Sequence, residues 1–355
     1  MKKTFTLVVV LVAAFGLMLT GCAKGTGGGS GKGTDIAVLV PNADHGWTGA
    51  VLTYAQEKAK EINDAGKYSV KVISSKDAAD QISQVEDLIA NKTAKQVVIL
   101  PYDNTLEGSM QKLVDSKIPF IQFDRVIDSV KGSAVANVKG DNNGIGVETA
   151  KRFTEKDGLK PGDKILIMPG DNSSVPTMRN DGFFSTLKAK GWSDAQIKAI
   201  ESTDFTGWSR ATGKKLFTDW IMAKTPDQIK EYKYIFTHDD EIAMGILEAL
   251  QSTDIDQAKK DAFLNTGVYL ATSSGLNEMY SVLKGTHQKD YTAIVAKLGD
   301  LFSVTYDPGM IKIAIQDMVD HLDGKTVSQD HVIPVQVVDK TNVSQFQGFG
   351  DAVSK

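Results

Sequence analysis

The sequence has almost no cysteine: Cys22 stands alone among 355 residues. A lone thiol closes no intramolecular disulfide, so the fold must rest on a large apolar core, which a chain of this length can bury. Histidine is scarce as well. His45, His238, His287, His321 and His331 are scattered without metal-ligand spacing, and no Gly-x-Ser-x-Gly elbow occurs. The chain is therefore not expected to be an enzyme, and neither a metal nor a cofactor is implied. Excess positive charge is missing too: 40 Lys and Arg against 44 Asp and Glu leave a formal net charge of −4, the wrong sign for a nucleic-acid partner. The acidic run Asp254-Ile255-Asp256 lacks the ligand spacing of a calcium loop and reads as solvated. The apolar run from Phe5 to Leu19 is too short and too abruptly ended to span a bilayer.

That run has another use. Lys2 and Lys3 precede it, and it stops at Leu19-Thr20-Gly21-Cys22, which resembles the bacterial lipobox. The resemblance implies a signal peptide over residues 1–22, acylation of Cys22 and a lipid anchor to a membrane. Residues 23–34 (AKGTGGGSGKGT) offer nothing apolar to pack and read as a flexible tether. The expected location is extracytoplasmic.

From Asp35 onward, short apolar runs alternate with amphipathic stretches. Ile36–Val40, Tyr68–Ser74, Gln96–Leu100, Pro119–Phe123, Lys164–Met168, Ile197–Thr203 and Tyr234–Thr237 read as strands. Thr48–Ile62, Ala78–Asn91, Asn104–Ser116, Asn142–Lys156, Val175–Gly191, Thr206–Lys224 and Asp239–Thr253 carry helical spacing. The alternation implies parallel sheets with helices on both faces, and the total fits two successive α/β domains better than one sheet. In such folds ligands bind beyond the carboxyl ends of strands. What stands there is Asn42 to Trp47, Asp124-Arg125, Gly170-Asp171-Asn172 and then Arg179, Asp204-Phe205 with Trp208, and His238-Asp239-Asp240. Carboxylates, guanidiniums and aromatics together suit a sugar: rings cover its C–H faces, carboxylates accept from hydroxyls and Arg donates in a fork.

The stretches IAVLVPNADHGWTGAVLTYAQEKA, VVILPYDNTLEG, IPFIQFDRV, KGDNNGIGVETAKRF, MRNDGFF and YIFTHDDEIAMGILEAL, in this order over about Thr34 to Gln347, resemble the type I periplasmic sugar-binding proteins of ABC importers, the ribose- and galactose-binding group. The resemblance implies two Rossmann-like lobes joined by a three-crossing hinge. The crossings fall near Gly140, Lys297 and Gln336, with Asp141 beside the first as hinge or helix cap. The lobes are then residues 35–139 plus 298–335 and residues 140–297 plus 336–355.

Carried onto this chain, the family's site implies that Trp47 stacks on a sugar face, with His45 and Thr48 beside it. Asp124 and Arg125 follow the fourth strand, Arg179 starts a second-lobe helix, and Asp239 bonds hydroxyls. Either Phe205 or Trp208 supplies the second aromatic, and Lys297 donates at the second crossing. Ser273 stands where the family has a cleft aspartate, which separates this chain from a simple ribose or galactose specificity. Asp240 reads as a helix N-terminal residue. The implied partners are a small carbohydrate and the permease and ATPase subunits of an importer, with the protein a monomer. A chemotaxis or sensory receptor for a sugar, polyol, nucleoside or furanosyl signal is the alternative role.

Overall fold

The computed structural model describes residues 33–42 and 46–350. Cys22, the tether through Lys32 and His45 lie outside these. Among the described residues, twelve strands form two sheets. The first holds β1 (Thr34–Pro41), β2 (Val70–Ser75), β3 (Ala94–Ile99), β4 (Phe120–Phe123), β5 (Ala136–Gly140) and β11 (Asp330–Ile333), in the order β11-β5-β4-β3-β1-β2. The second holds β6 (Lys164–Met168), β7 (Glu201–Ser202), β8 (Tyr232–Thr237), β9 (Tyr269–Ser274), β10 (Asp300–Thr305) and β12 (Val337–Asp339), in the order β12-β10-β9-β8-β6-β7. Every pairing is parallel except β10 with β12. Ile36 to Val40 of β1 are fully buried because helices cover both faces of the sheet. This is the two-lobed, doubly wound α/β architecture expected from the alternation.

Two local expectations change. Ile197–Thr203 is not a full strand: Ser193 and Gln196 cap each other's backbone and start the helix Asp194–Lys198, which leaves only Glu201–Ser202 to pair with β6. The helix begun at Asn142 ends at Lys151 and continues as a π-turn over Arg152–Lys156. That turn aims Arg152 at Asp300, at 2.6 and 2.8 Å, and at Asp339, at 2.7 Å. Burial acts to raise the Asp339 carboxyl, but Thr341 and Arg152 hold it at about 2.

The larger correction concerns the hinge. β10 pairs with β9 along its whole length, from Asp300 against Tyr269 to Thr305 against Ser274. The chain therefore stays in the second sheet through Thr305 and crosses at Tyr306-Asp307, not at Lys297. The helix Met310–Leu322 then packs on β4, β5 and the helix Gly46–Ala65 of the first lobe. The three crossings run side by side. Asp141 N–H donates to the Ile333 carbonyl at 2.9 Å, and Thr305 and Gln336 exchange two bonds of 2.9 Å. Asp141 also caps the helix Asn142–Lys151 by accepting from the Gly144 N–H at 2.7 Å.

Candidate functional site

The carboxyl ends of both sheets face one cleft. A cavity of about 480 Å³ lies in it, lined from the first lobe by Asn42, Thr48, Tyr102 to Thr105 and Arg125, and from the second by Asp171 to Ser173, Gly207 and Trp208. Below it a smaller cavity of about 30 Å³ reaches Trp47, Leu100, Asp124, Arg179, Asp239 and Tyr306.

Each polar group is set by its strand end. After β4 the backbone turns sharply at Asp124, whose φ of 61° is a left-handed conformation that a non-glycine residue holds only at a cost. The turn is fixed by Asp124 N–H on the Val138 carbonyl at 2.8 Å. It buries the Asp124 carboxylate, which accepts from the Tyr306 hydroxyl, and burial pushes this carboxyl above its ordinary value despite the nearby Arg125 guanidinium. Arg125 donates to the Tyr102 carbonyl and reaches across the cleft to Asp171 at 3.3 Å. Burial works to raise Asp171, yet Arg125 and Ser173 hold it below the usual carboxylate range.

Arg179 is only 2 % exposed. Its Nε donates to Asn142 Oδ1 at 2.9 Å, and its Nη1 donates to the His238 carbonyl and to Ser273 Oγ at 3.0 Å. Burial lowers the guanidinium's pKa, and Tyr306, Asp239 and Asp124 offset part of that. Asp239 follows β8 and caps the helix Asp240–Gln251 by accepting from the Glu241 N–H at 2.9 Å. Burial, with Asp240 adjacent, pushes its carboxyl well above the ordinary range. Trp208 holds a φ of 60°, and its ring lies so close over Gly170 that any Cβ there would collide with it. The guanidinium carbon of Arg179 lies 5.4 Å from the Trp208 ring centroid.

The other expected residues divide. Thr48 lines both cavities. Trp47 does not present an open face: it is 8 % exposed, stacks on Phe123 at 6.1 Å, tilts against Tyr306 and donates its Nε1–H to the Tyr306 carbonyl at 2.9 Å. The helix that begins at Gly46 turns the indole toward the lobe, so Trp47 meets only the lower cavity while Trp208 lines both. Phe205 is 52 % exposed and lines a separate surface cavity of about 290 Å³. Ser273 is buried beneath Arg179 and donates to the His238 carbonyl at 2.9 Å, so it supports the cation instead of lining either cavity. Lys297 is exposed and lines neither cavity, because the chain has not yet reached the crossing. Asp240 is more than a helix opener: it is fully buried and accepts from the Gly275 and Leu276 N–H groups and from Ser303 Oγ, all at 2.8 Å. Among the described residues there is no metal-holding group of three or more His, Cys, Asp or Glu.

Sequence reasoning missed Tyr306, and with it Tyr102 to Thr105 of the upper cavity. The signal is that Tyr306 directly follows the apolar run of β10, nine residues beyond the crossing expected at Lys297.

A family model described as a periplasmic binding protein domain matches residues 36–326. The chain is 26% identical to the ribose import binding protein of Escherichia coli over 71% of this chain and 76% of that one. It is 23% identical to the fructose import binding protein of Bifidobacterium longum over 97% of each chain. Among solved structures, a solute-binding protein of an ABC transporter from Bacillus halodurans with bound myo-inositol superposes with a TM-score of 0.68, 22% identity and coverage of 89% of this chain and 98% of that one. A galactofuranose-binding protein superposes with a TM-score of 0.69, 19% identity and coverage of 88% and 96%.

Proposed function

The chain belongs to the periplasmic binding protein domain family, and from that premise we propose that it is a lipid-anchored substrate-binding protein which captures a small carbohydrate between its lobes and delivers it to an ABC importer. As a member of a binding-protein family it is not an enzyme. The observation that carries the reading is the composition of one cleft. Arg125 and Asp171 meet across it, Trp208 walls it, and Asp124, Arg179 and Asp239 stand at its floor. A sugar supplies the apolar face for Trp208 and the hydroxyls that carboxylates and guanidiniums need once water is expelled; each group left unpaired there costs about 1–3 kcal/mol. Ligand bound by both walls stabilises the closed arrangement through its differential affinity for that state. The import relatives named above favour delivery to a permease over signalling.

The test is calorimetry against a panel of monosaccharides and cyclitols, run on the wild type and Asp239→Asn. Asparagine keeps the helix cap and removes a buried charge. The melting temperature should hold or rise, while affinity falls about tenfold because a neutral acceptor bonds hydroxyls less strongly. The pH dependence follows from the same raised carboxyl. Its ionised form costs stability above the folded pKa, a cost that disappears as pH falls, whereas ligand hydroxyls bond best to that ionised form. Affinity should therefore weaken on acidification in the wild type and much less in Asp239→Asn. No binding to any member by the wild type would remove the carbohydrate reading.

The anchor has its own test. Cys22→Ala should move the protein from the membrane fraction to the soluble one on cell fractionation, and continued sedimentation with membranes would sink the anchor.

A further inference from the structure

The floor of the cleft is organised by one side chain on the second crossing. Tyr306 is 4 % exposed. Gly140, at the end of β5, sits against its ring, and a Cβ there would collide with the ring carbons. The guanidinium carbon of Arg179 lies 4.9 Å from the ring centroid. The hydroxyl joins the two lobes: Asn142 Nδ2 donates to it at 2.9 Å, which directs its own proton to Asp124 Oδ1.

Two chemical consequences follow. A carboxylate with both oxygens available accepts from two adjacent ring hydroxyls at once. Here the Tyr306 hydroxyl already donates to Oδ1 of Asp124, so it takes one acceptor site of that oxygen and competes there with a ligand hydroxyl. The ring also fills the depth of the cleft, so that the cavity at Asp124 is about 30 Å³, against about 480 Å³ above it. The lower space is on the scale of a single water and the upper one on the scale of a small ligand.

We infer that Tyr306 determines specificity by closing the floor and competing with the ligand for Oδ1 of Asp124, so that the site favours a sugar or cyclitol seated against Trp208 that offers a single hydroxyl downward over one that offers an adjacent pair. The inference rests on the carbohydrate reading of the cleft. It makes Tyr306 a filter built from the hinge itself, since the same hydroxyl that joins the crossing to both lobes competes with the ligand for one carboxylate oxygen.

The experiment measures affinities of wild type, Tyr306→Phe and Tyr306→Leu by calorimetry for D-ribose, D-galactose, D-fructose and myo-inositol and for 2-deoxy-D-ribose and 2-deoxy-D-galactose, with melting curves on each protein. Tyr306→Phe keeps the ring and releases Asp124 Oδ1. Relative to wild type it should favour a ligand with adjacent hydroxyls over its deoxy counterpart by about tenfold. Tyr306→Leu also opens the floor and should broaden the panel toward bulkier rings; if it fails to fold, the Phe variant carries the test alone. Affinities that fall by one common factor, with every ratio unchanged, would give Tyr306 a packing role only and overturn the inference while leaving the carbohydrate reading intact. Absence of any binding in the wild type would instead remove that reading and the inference with it.

Discussion

Arg179→Ala should abolish binding, by about a hundredfold or more, and lower folding stability by about 3–5 kcal/mol. The guanidinium is buried between both lobes' polar groups, beneath Trp208 and beside Tyr306. Its removal orphans Asn142 Oδ1 and takes a donor from the His238 carbonyl and from Ser273 Oγ, which keep only their bond to each other. It also leaves Asp239 without the positive charge that counters its burial, and Asp124 with Arg125 alone. Both carboxyls should then hold their protons to higher pH, and a protonated carboxyl loses the charge-assisted bonds to ligand hydroxyls. Calorimetry and urea unfolding on the same preparation separate the two effects. Arg179→Lys restores a charge but not the fork, so it should recover part of the stability and little of the affinity. Unchanged affinity in Arg179→Ala would mean that the ligand sits elsewhere.

Gly146→Ala should cost about 3 kcal/mol and reduce binding together with stability. The helices Asn142–Lys151 and Ser174–Ala189 touch through backbone at Gly146 and Gly182. A Cβ at Gly146 would overlap the Arg179 carbonyl, and one at Gly182 would overlap the Asn143 carbonyl. Backbone cannot swing aside as a flexible side chain can. The helices must separate, and the separation moves Asn142 and Arg179, the two ends of one hydrogen bond in the floor. Gly108→Ala provides the contrast. Gly108 lies in the helix Glu107–Asp115 with nothing within 4 Å of its would-be Cβ, so alanine should leave stability level or raise it by about 0.5–1 kcal/mol. Equal melting temperatures for the two variants would refute the close-approach argument.

Much of the fold was legible before any coordinates. Ile36 to Val40 and Lys164 to Met168 read as buried parallel strands because every side chain in them is apolar or nearly so, and the strand-end rule brought Asp124, Arg125, Arg179, Trp208 and Asp239 into view. The structure gathers those five around the two adjoining cavities. Ile197–Thr203 misled because apolar spacing does not register a reciprocal cap at Ser193 and Gln196.

What the sequence by itself determined is therefore the local part. Its alternation set the class of fold, its lone cysteine excluded an intramolecular disulfide, and the residue types at strand ends set the kind of chemistry the cleft can do. Only the tertiary structure decided where the chain changes lobe, that Trp47 meets only the lower cavity while Trp208 lines both, that Ser273 serves Arg179, and that Tyr306 forms the floor. The reason is range. Periodicity reports which side of an element is buried, whereas sheet membership depends on which distant strand offers a matching edge. Whether a buried side chain meets a cavity or a neighbour depends on residues far away in the chain, as Trp47 and Tyr306 do across 259 positions.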